Sequence, residues 1–201
     1  FVLDCIASGA IWVDMSTCSV DVLITAPQKG WTGTPCAGIV MMNARARAAV
    51  EESESSSFAC DLKKWLQIMT RYEQGGHAYH ATMPTDGLHT FRNVMLEAKS
   101  YGFAHLKAQQ QLLGDQIRAI CSTRWRSLAA SPFAAPSVVV CYTAEPDEHN
   151  GRAFAARGMQ IAAGVPLQCD EAPSFQTFRI GLFGLDKLMN VERTVGGFQR
   201  V

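Results

Sequence analysis

Residues 21–31 read DVLITAPQKGW. Val22, Leu23 and Ile24 are apolar and two of them are β-branched, so the stretch opens as a buried strand. Pro27 ends it, and Gln28, Lys29 and Gly30 follow at once, before Trp31. A solvated lysine in a turn is the ordinary reading of Lys29, and on one motif alone it carries the greater weight. The chemical reading is an amine at the carboxyl edge of a sheet strand, where open α/β sheets place their ligands. Desolvation there lowers an amine's pKa and lets it form a Schiff base with an aldehyde cofactor.

Working outward, FVLD (1–4) and AGIVMMN (37–43) are further short apolar runs bounded by turn signals. With DVLIT (21–25) they read as strands of an α/β sheet buried on both faces. Asn43 is placed to cap a helix running through about residue 52, and SESSS (53–57) is a polar loop. Leu62, Trp65, Leu66, Met69 and Tyr72 recur at helical spacing, and Gly75 and Gly76 end that helix. GGHAYHATMP (75–84) is a loop. Helices are expected over 86–101 and 103–123, with Gly102 between them and inner faces marked by Leu88, Phe91 and Met95, then Leu113, Ile117 and Ile120.

The last third alternates again: a strand over 137–143, a turn over 145–151, a helix over 151–162, a strand over 175–183 and a final helix over 186–199. Phe175, Thr177 and Arg179 fall on one side of the second of these strands. The order of elements divides the chain into an α/β part over 1–87 and a small α+β domain over 88–201.

The chain has 201 residues, with 18 Lys plus Arg against 18 Asp plus Glu. That balance argues against a nucleic-acid footprint or an anionic-membrane patch and points to small molecules or other protein chains as partners. No apolar run approaches the ~20 residues a membrane helix needs. Asp4 and Asp14 interrupt the first apolar stretch, which argues against a signal peptide. Seven cysteines, an odd number with no CxxC, fit reduced intracellular thiols and a cytoplasmic or organellar-matrix setting. The chain opens at Phe1 in what reads as mid-strand, so its natural beginning is expected to lie upstream.

Two more residues bear on chemistry. Asp4 ends the strand FVLD after three apolar residues. It caps a turn, or it is a carboxylate that keeps a pyridinium nitrogen protonated, which is what a protein supplies to pyridoxal phosphate beside a lysine. Arg179 lies between Phe178 and Ile180 on an inner strand, where a guanidinium is seldom buried without an anionic partner. A structural salt bridge and a bidentate clamp on a substrate carboxylate stand here on equal terms.

Taken in order, DCIAS (4–8), QKGW (28–31), YHATMP (79–84) and FRIGLFG (178–184) resemble the C-terminal half of class V aminotransferases, the alanine–glyoxylate and serine–pyruvate type. The resemblance runs over nearly the whole chain. It implies the pyridoxal-phosphate-dependent transferase fold type I, that of aspartate aminotransferase, with residues 1–87 closing the large domain and an N-terminal half upstream. It implies that Lys29 is the Schiff-base lysine and proton shuttle, that Asp4 pairs with the pyridine nitrogen and that Ile6 packs under the ring. Gln28 then lies near the cofactor phosphate, and Tyr79 and Thr82 reach the phosphate in the other subunit of a homodimer. The same resemblance implies that Arg179 binds the substrate carboxylate. Trp31 is placed at the subunit interface or beneath the loop. Thr34-Pro35-Cys36-Ala37-Gly38 departs from the Pro-Pro-Gly of many relatives without removing a reacting group. The aromatic residue that stacks on the cofactor and the phosphate cradle lie upstream of this chain in the family.

The expected activity is transfer of an amino group from alanine or serine to glyoxylate or pyruvate. One alternative is a lyase of the same fold, such as a cysteine desulfurase, with Cys169 attacking substrate sulfur; Asp170 and Glu171 beside it disfavour a thiolate. The other is a non-catalytic fragment. His77 and His80, without a nearby third ligand, make a weak metal signal.

Overall fold

The computed structural model describes residues 1–200. Two three-stranded sheets carry the architecture. In the first, β1 (Val2–Asp4) pairs in parallel with β2 (Val22–Thr25), and β2 pairs antiparallel with β3 (Ile39–Met42). The second has the order β4-β6-β5, all antiparallel, from β4 (Val138–Tyr142), β5 (Ala162–Ala163) and β6 (Thr177–Gly181).

Helix α1 (Ala44–Glu51) begins where expected, because the Asn43 side chain accepts the Ala46 amide at 2.9 Å. Helix α2 (Leu62–Glu73) is capped in the same way by Asp61. Helices α3 (Thr85–Tyr101) and α4 (Phe103–Ser122) are divided at Gly102, whose φ of +88° suits glycine. Helix α3 runs unbroken through residues 87 and 88.

Leu106, Leu113 and Ile117 of α4 are fully buried, each burial stabilising by about 1.5–3 kcal/mol, and they pack with Val139, Phe178 and Ile180 of the second sheet. Helix α4 approaches the lead into β4 closely: a β-carbon on Gly114 would lie 2.6 Å from the Pro136 Cα. Glu148, buried in the same half, accepts hydrogen bonds from Arg124 (2.8 Å), Trp125 (2.8 Å) and Thr143 (2.5 Å).

Four sequence expectations need correction. The helix expected over 151–162 is only a turn, α6 (Arg152–Ala155), because Gly158 takes φ +79° and Ala162–Ala163 must extend to pair with β6. The expected turn over 145–151 contains α5 (Pro146–His149). The final helix is two, α7 (Leu185–Leu188) and α8 (Val191–Gln199), interrupted where Asn190 adopts φ −140° and bonds the Asp186 carbonyl. The first sheet is not covered on both faces within the described residues; Val2 and Met41 are exposed.

Candidate active site

The parallel pairing of β1 with β2 sets Asp4 opposite Ile24, so both strands leave the sheet at the same edge. The Asp4 carboxylate is exposed there and, among the described residues, accepts only the Ile6 amide, at 2.9 Å. The outgoing chains stay joined: the Cys5 amide donates to the Ile24 carbonyl at 2.7 Å, and the Thr25 hydroxyl to the Cys5 carbonyl at 3.4 Å. Ile6 is half-buried beside them.

Past Thr25 the chain turns through Pro27. The Thr32 amide bonds the Lys29 carbonyl at 3.0 Å and the Gly33 amide bonds the Pro27 carbonyl at 2.7 Å. Lys29 is half-buried on this turn and Gln28 is exposed. The Lys29 Nζ lies 5.8 Å from the ring centroid of Phe183, a cation–π distance. Thr32 takes φ +65°, costly for a residue with a β-carbon, and its hydroxyl accepts the Leu185 amide at 3.2 Å. The segment after β6 therefore docks on the lysine turn.

Gly30 is required by space. A β-carbon there would lie 2.0 Å from the Gly9 carbonyl oxygen. Gly9, at φ +67°, is itself pressed on Ser137 and Gln110. Trp31 packs inside this chain, against Trp12 (4.5 Å between centroids), Phe91 (5.8 Å) and Phe103 (6.0 Å). Rings from α3 and α4 converge on the turn and give the indole an apolar seat within this chain.

Arg179 stands in β6 across from Val140 and Ala162. Its Nε donates to the Ala163 carbonyl at 2.9 Å, and among the described residues it forms no ion pair. The structural salt bridge that the sequence left open is thus absent from the described residues. Tyr79 and Thr82 lie on the exposed loop between α2 and α3, with their hydroxyl oxygens 3.1 Å apart. No hydrogen bond among the described residues joins this pair to Asp4 or Lys29. His80 bonds the Phe58 carbonyl at 2.9 Å, and His77 lies edge-on to Tyr72.

A cavity of about 570 Å³ opens elsewhere, between His149, Gly164, Gln168, Asp170, Glu171 and Phe175. Neither Asp4, Lys29 nor Arg179 lines it, so it is not where these groups meet. Beside it the Glu171 carboxylate accepts the amides of Leu167 (2.5 Å), Gln168 (2.9 Å) and Cys169 (2.8 Å). These bonds, the one from Cys169 foremost, lower the Glu171 pKa to about 2. Cys169 is exposed and stands next to this fixed negative charge.

Sequence reasoning missed Phe183, Ser137 and Gln110. The available signal for Gln110 was its spacing: it lies one turn from both Leu106 and Leu113, on the apolar face of α4, where an amide needs partners.

No family model matches the chain. It is 25% identical over 207 residues to a 2-aminoethylphosphonate–pyruvate transaminase of Cupriavidus necator. It is 27% identical over 210 residues to 2-aminoethylphosphonate–pyruvate transaminase 2 of Paraburkholderia xenovorans. Each match takes in 97% of this chain and 52% of the relative, so the chain spans about half the length of the curated relatives it matches. Among solved structures it superposes on ureidoglycine–glyoxylate aminotransferase from Bacillus subtilis with a TM-score of 0.74, at 17% identity over 100% of this chain and 52% of the other. For alanine–glyoxylate aminotransferase from Nostoc sp. the TM-score is 0.71, at 18% identity over 99% and 52%. The fold is that of these aminotransferases, fold type I, as the sequence resemblance implied.

Proposed function

We propose that the protein containing this chain is a pyridoxal-phosphate-dependent aminotransferase that moves an amino group between a small amino compound and a small 2-oxo acid. One observation carries the reading. The parallel strands β1 and β2 leave the sheet side by side, one delivering the exposed Asp4 carboxylate and the other the Lys29 turn, with the segment after Arg179 docked on that turn. The donor set fits the cofactor: an amine for its aldehyde, a carboxylate for its ring nitrogen and a pair of hydroxyls, Tyr79 and Thr82, for its phosphate. Pyridoxal phosphate, when bound, supplies an aldehyde carbon and a protonated ring that withdraws electrons from the substrate carbon.

The residues then divide the work. Asp4, with two oxygens and one bond from Ile6, holds the ring nitrogen's proton. Lys29 anchors the cofactor and, as a neutral amine once released, takes the proton from the substrate α-carbon. The Phe183 ring limits where that amine can swing. Arg179, with no acidic partner among the described residues, binds the substrate carboxylate in a fork. Gln28 and Ile6 flank the cofactor. The ring-stacking aromatic residue and the rest of the phosphate cradle come from outside this chain.

The working unit is a homodimer with shared sites. Its support is the exposure of Tyr79, at 68%, and of Met69 and Tyr72 on α2, an apolar surface that a second copy would cover. Among the described residues no helix is long and apolar enough to cross a membrane. We place the enzyme in the cytoplasm or an organelle matrix.

Pyruvate and glyoxylate are the acceptors to test first, since relatives are named for one or the other. Alanine, serine and 2-aminoethylphosphonate are the donors. The experiment is to incubate the full protein with each donor–acceptor pair and measure the new amino acid. Product formation that Lys29→Ala abolishes supports the reading. Release of sulfide or pyruvate from the donor without amino transfer to the acceptor moves the protein to the lyases.

A further inference from the structure

We propose that Gln110 is a positioning residue. It fixes the spacing between the strand that carries Arg179 and the loops that carry Asp4 and Lys29, and so sets how a substrate carboxylate spans the two. The inference rests on the function proposed above.

Gln110 is wholly buried, on the face of α4 that also buries Leu106 and Leu113. Burying an amide among apolar side chains costs free energy unless its polar atoms are bonded. All of them are. The Oε1 accepts the Ala10 amide at 3.4 Å, and the Nε2 donates to the carbonyls of Pro136 (3.1 Å) and Leu182 (3.3 Å).

These partners belong to the two halves of the candidate site. Ala10 closes the loop that starts at Asp4. Its neighbour Gly9 is wedged so that a β-carbon would meet Gln110 Oε1 at 2.7 Å and Ser137 Cβ at 2.5 Å, while the Gly9 carbonyl abuts Gly30 beside Lys29. Leu182 lies just past the end of β6 and directly before Phe183, whose ring faces the Lys29 amine. One amide thus ties the Asp4–Lys29 half to the Arg179–Phe183 half. Ser137 runs beside it, its hydroxyl donating to the Ala7 carbonyl at 3.1 Å.

The second sheet does not need Gln110. The Leu182 amide bonds the Ser137 carbonyl at 2.9 Å, and β4 pairs with β6 along its length. Losing the amide should therefore loosen the join between the halves and leave each half folded. A spacing error of this kind weakens carboxylate binding more than it slows proton movement at Lys29.

The test uses Gln110→Met in the full protein, a substitution of similar length and volume. Ser137→Ala is the milder second variant, should the first not fold. Two readouts are taken: hydrogen–deuterium exchange of residues 5–12 and 182–185, and the KM and kcat for the amino donor. Exchange in both segments should accelerate by about tenfold or more while the rest of the chain is unchanged. The KM should rise by about fivefold or more with kcat within about twofold. Ser137→Ala should shift the same quantities by less. Unchanged exchange in either segment overturns the coupling, whether or not amino transfer is found. Accelerated exchange with an unmoved KM in an enzyme that Lys29→Ala silences overturns the positioning role and leaves the proposed function standing.

Discussion

Gly30 abuts the Gly9 carbonyl so closely that a β-carbon on Gly30 would lie 2.0 Å from the Gly9 oxygen. The contact is backbone against backbone, so no flexible side chain can yield. Gly9 is held in turn by Gln110 and Ser137, and Gly30 sits beside Lys29. Gly30→Ala is expected to cost about 2–4 kcal/mol of folding stability, because one loop must shift. Denaturant unfolding measures the loss, and a cost under about 0.5 kcal/mol would mean the loops are not wedged.

Among the described residues Arg179 makes one side-chain hydrogen bond, to the Ala163 carbonyl, and no ion pair, so it contributes little to stability. A lysine there loses the fork that matches a carboxylate. Arg179→Lys should raise the KM for both amino donor and oxo acid by about 100-fold, with a melting temperature within about 2 °C of wild type. Equal KM values would remove Arg179 from the substrate site.

Tyr79→Phe deletes one of two hydroxyls whose oxygens lie 3.1 Å apart. If the pair donates to the cofactor phosphate of a second copy, the variant should hold cofactor about tenfold more weakly. Equilibrium dialysis against pyridoxal phosphate reports this. Undiminished affinity would sink the cross-subunit role.

The loop over 167–171 carries a pH dependence with a definite sign. The Glu171 pKa is lowered to about 2 by the amides it accepts, so the charged form favours the folded loop. That contribution is complete above the ordinary carboxylate value near 4.5 and is lost as pH falls from there through about 2. Protection of the Leu167, Gln168 and Cys169 amides, measured as exchange relative to free peptide at the same pH, should hold above that window and fall within it. Glu171→Gln should abolish the window.

Much of this was legible in the sequence because it is local. The Asn43 cap, the break at Gly102 and the apolar face of α4 follow from residue type and spacing. The shared edge at which Asp4 and the Lys29 turn leave the first sheet was legible too, because each follows a short apolar strand. The break at Asn190 and the short β5 were not, since each depends on partners distant in sequence. Gln110 was hidden for the same reason. Its partners Ala10 and Leu182 lie 100 and 72 residues away, and only the folded chain brings them to one amide.

The central claim is that Lys29 carries the cofactor. The direct measurement is to load the full protein with pyridoxal phosphate, reduce it with borohydride, digest it and map the modified peptide by mass. If Lys29 carries the cofactor, the cofactor mass appears on the peptide containing Lys29, and none on the same peptide of Lys29→Ala. Attachment to another lysine, or no attachment in a folded wild-type protein, would contradict it.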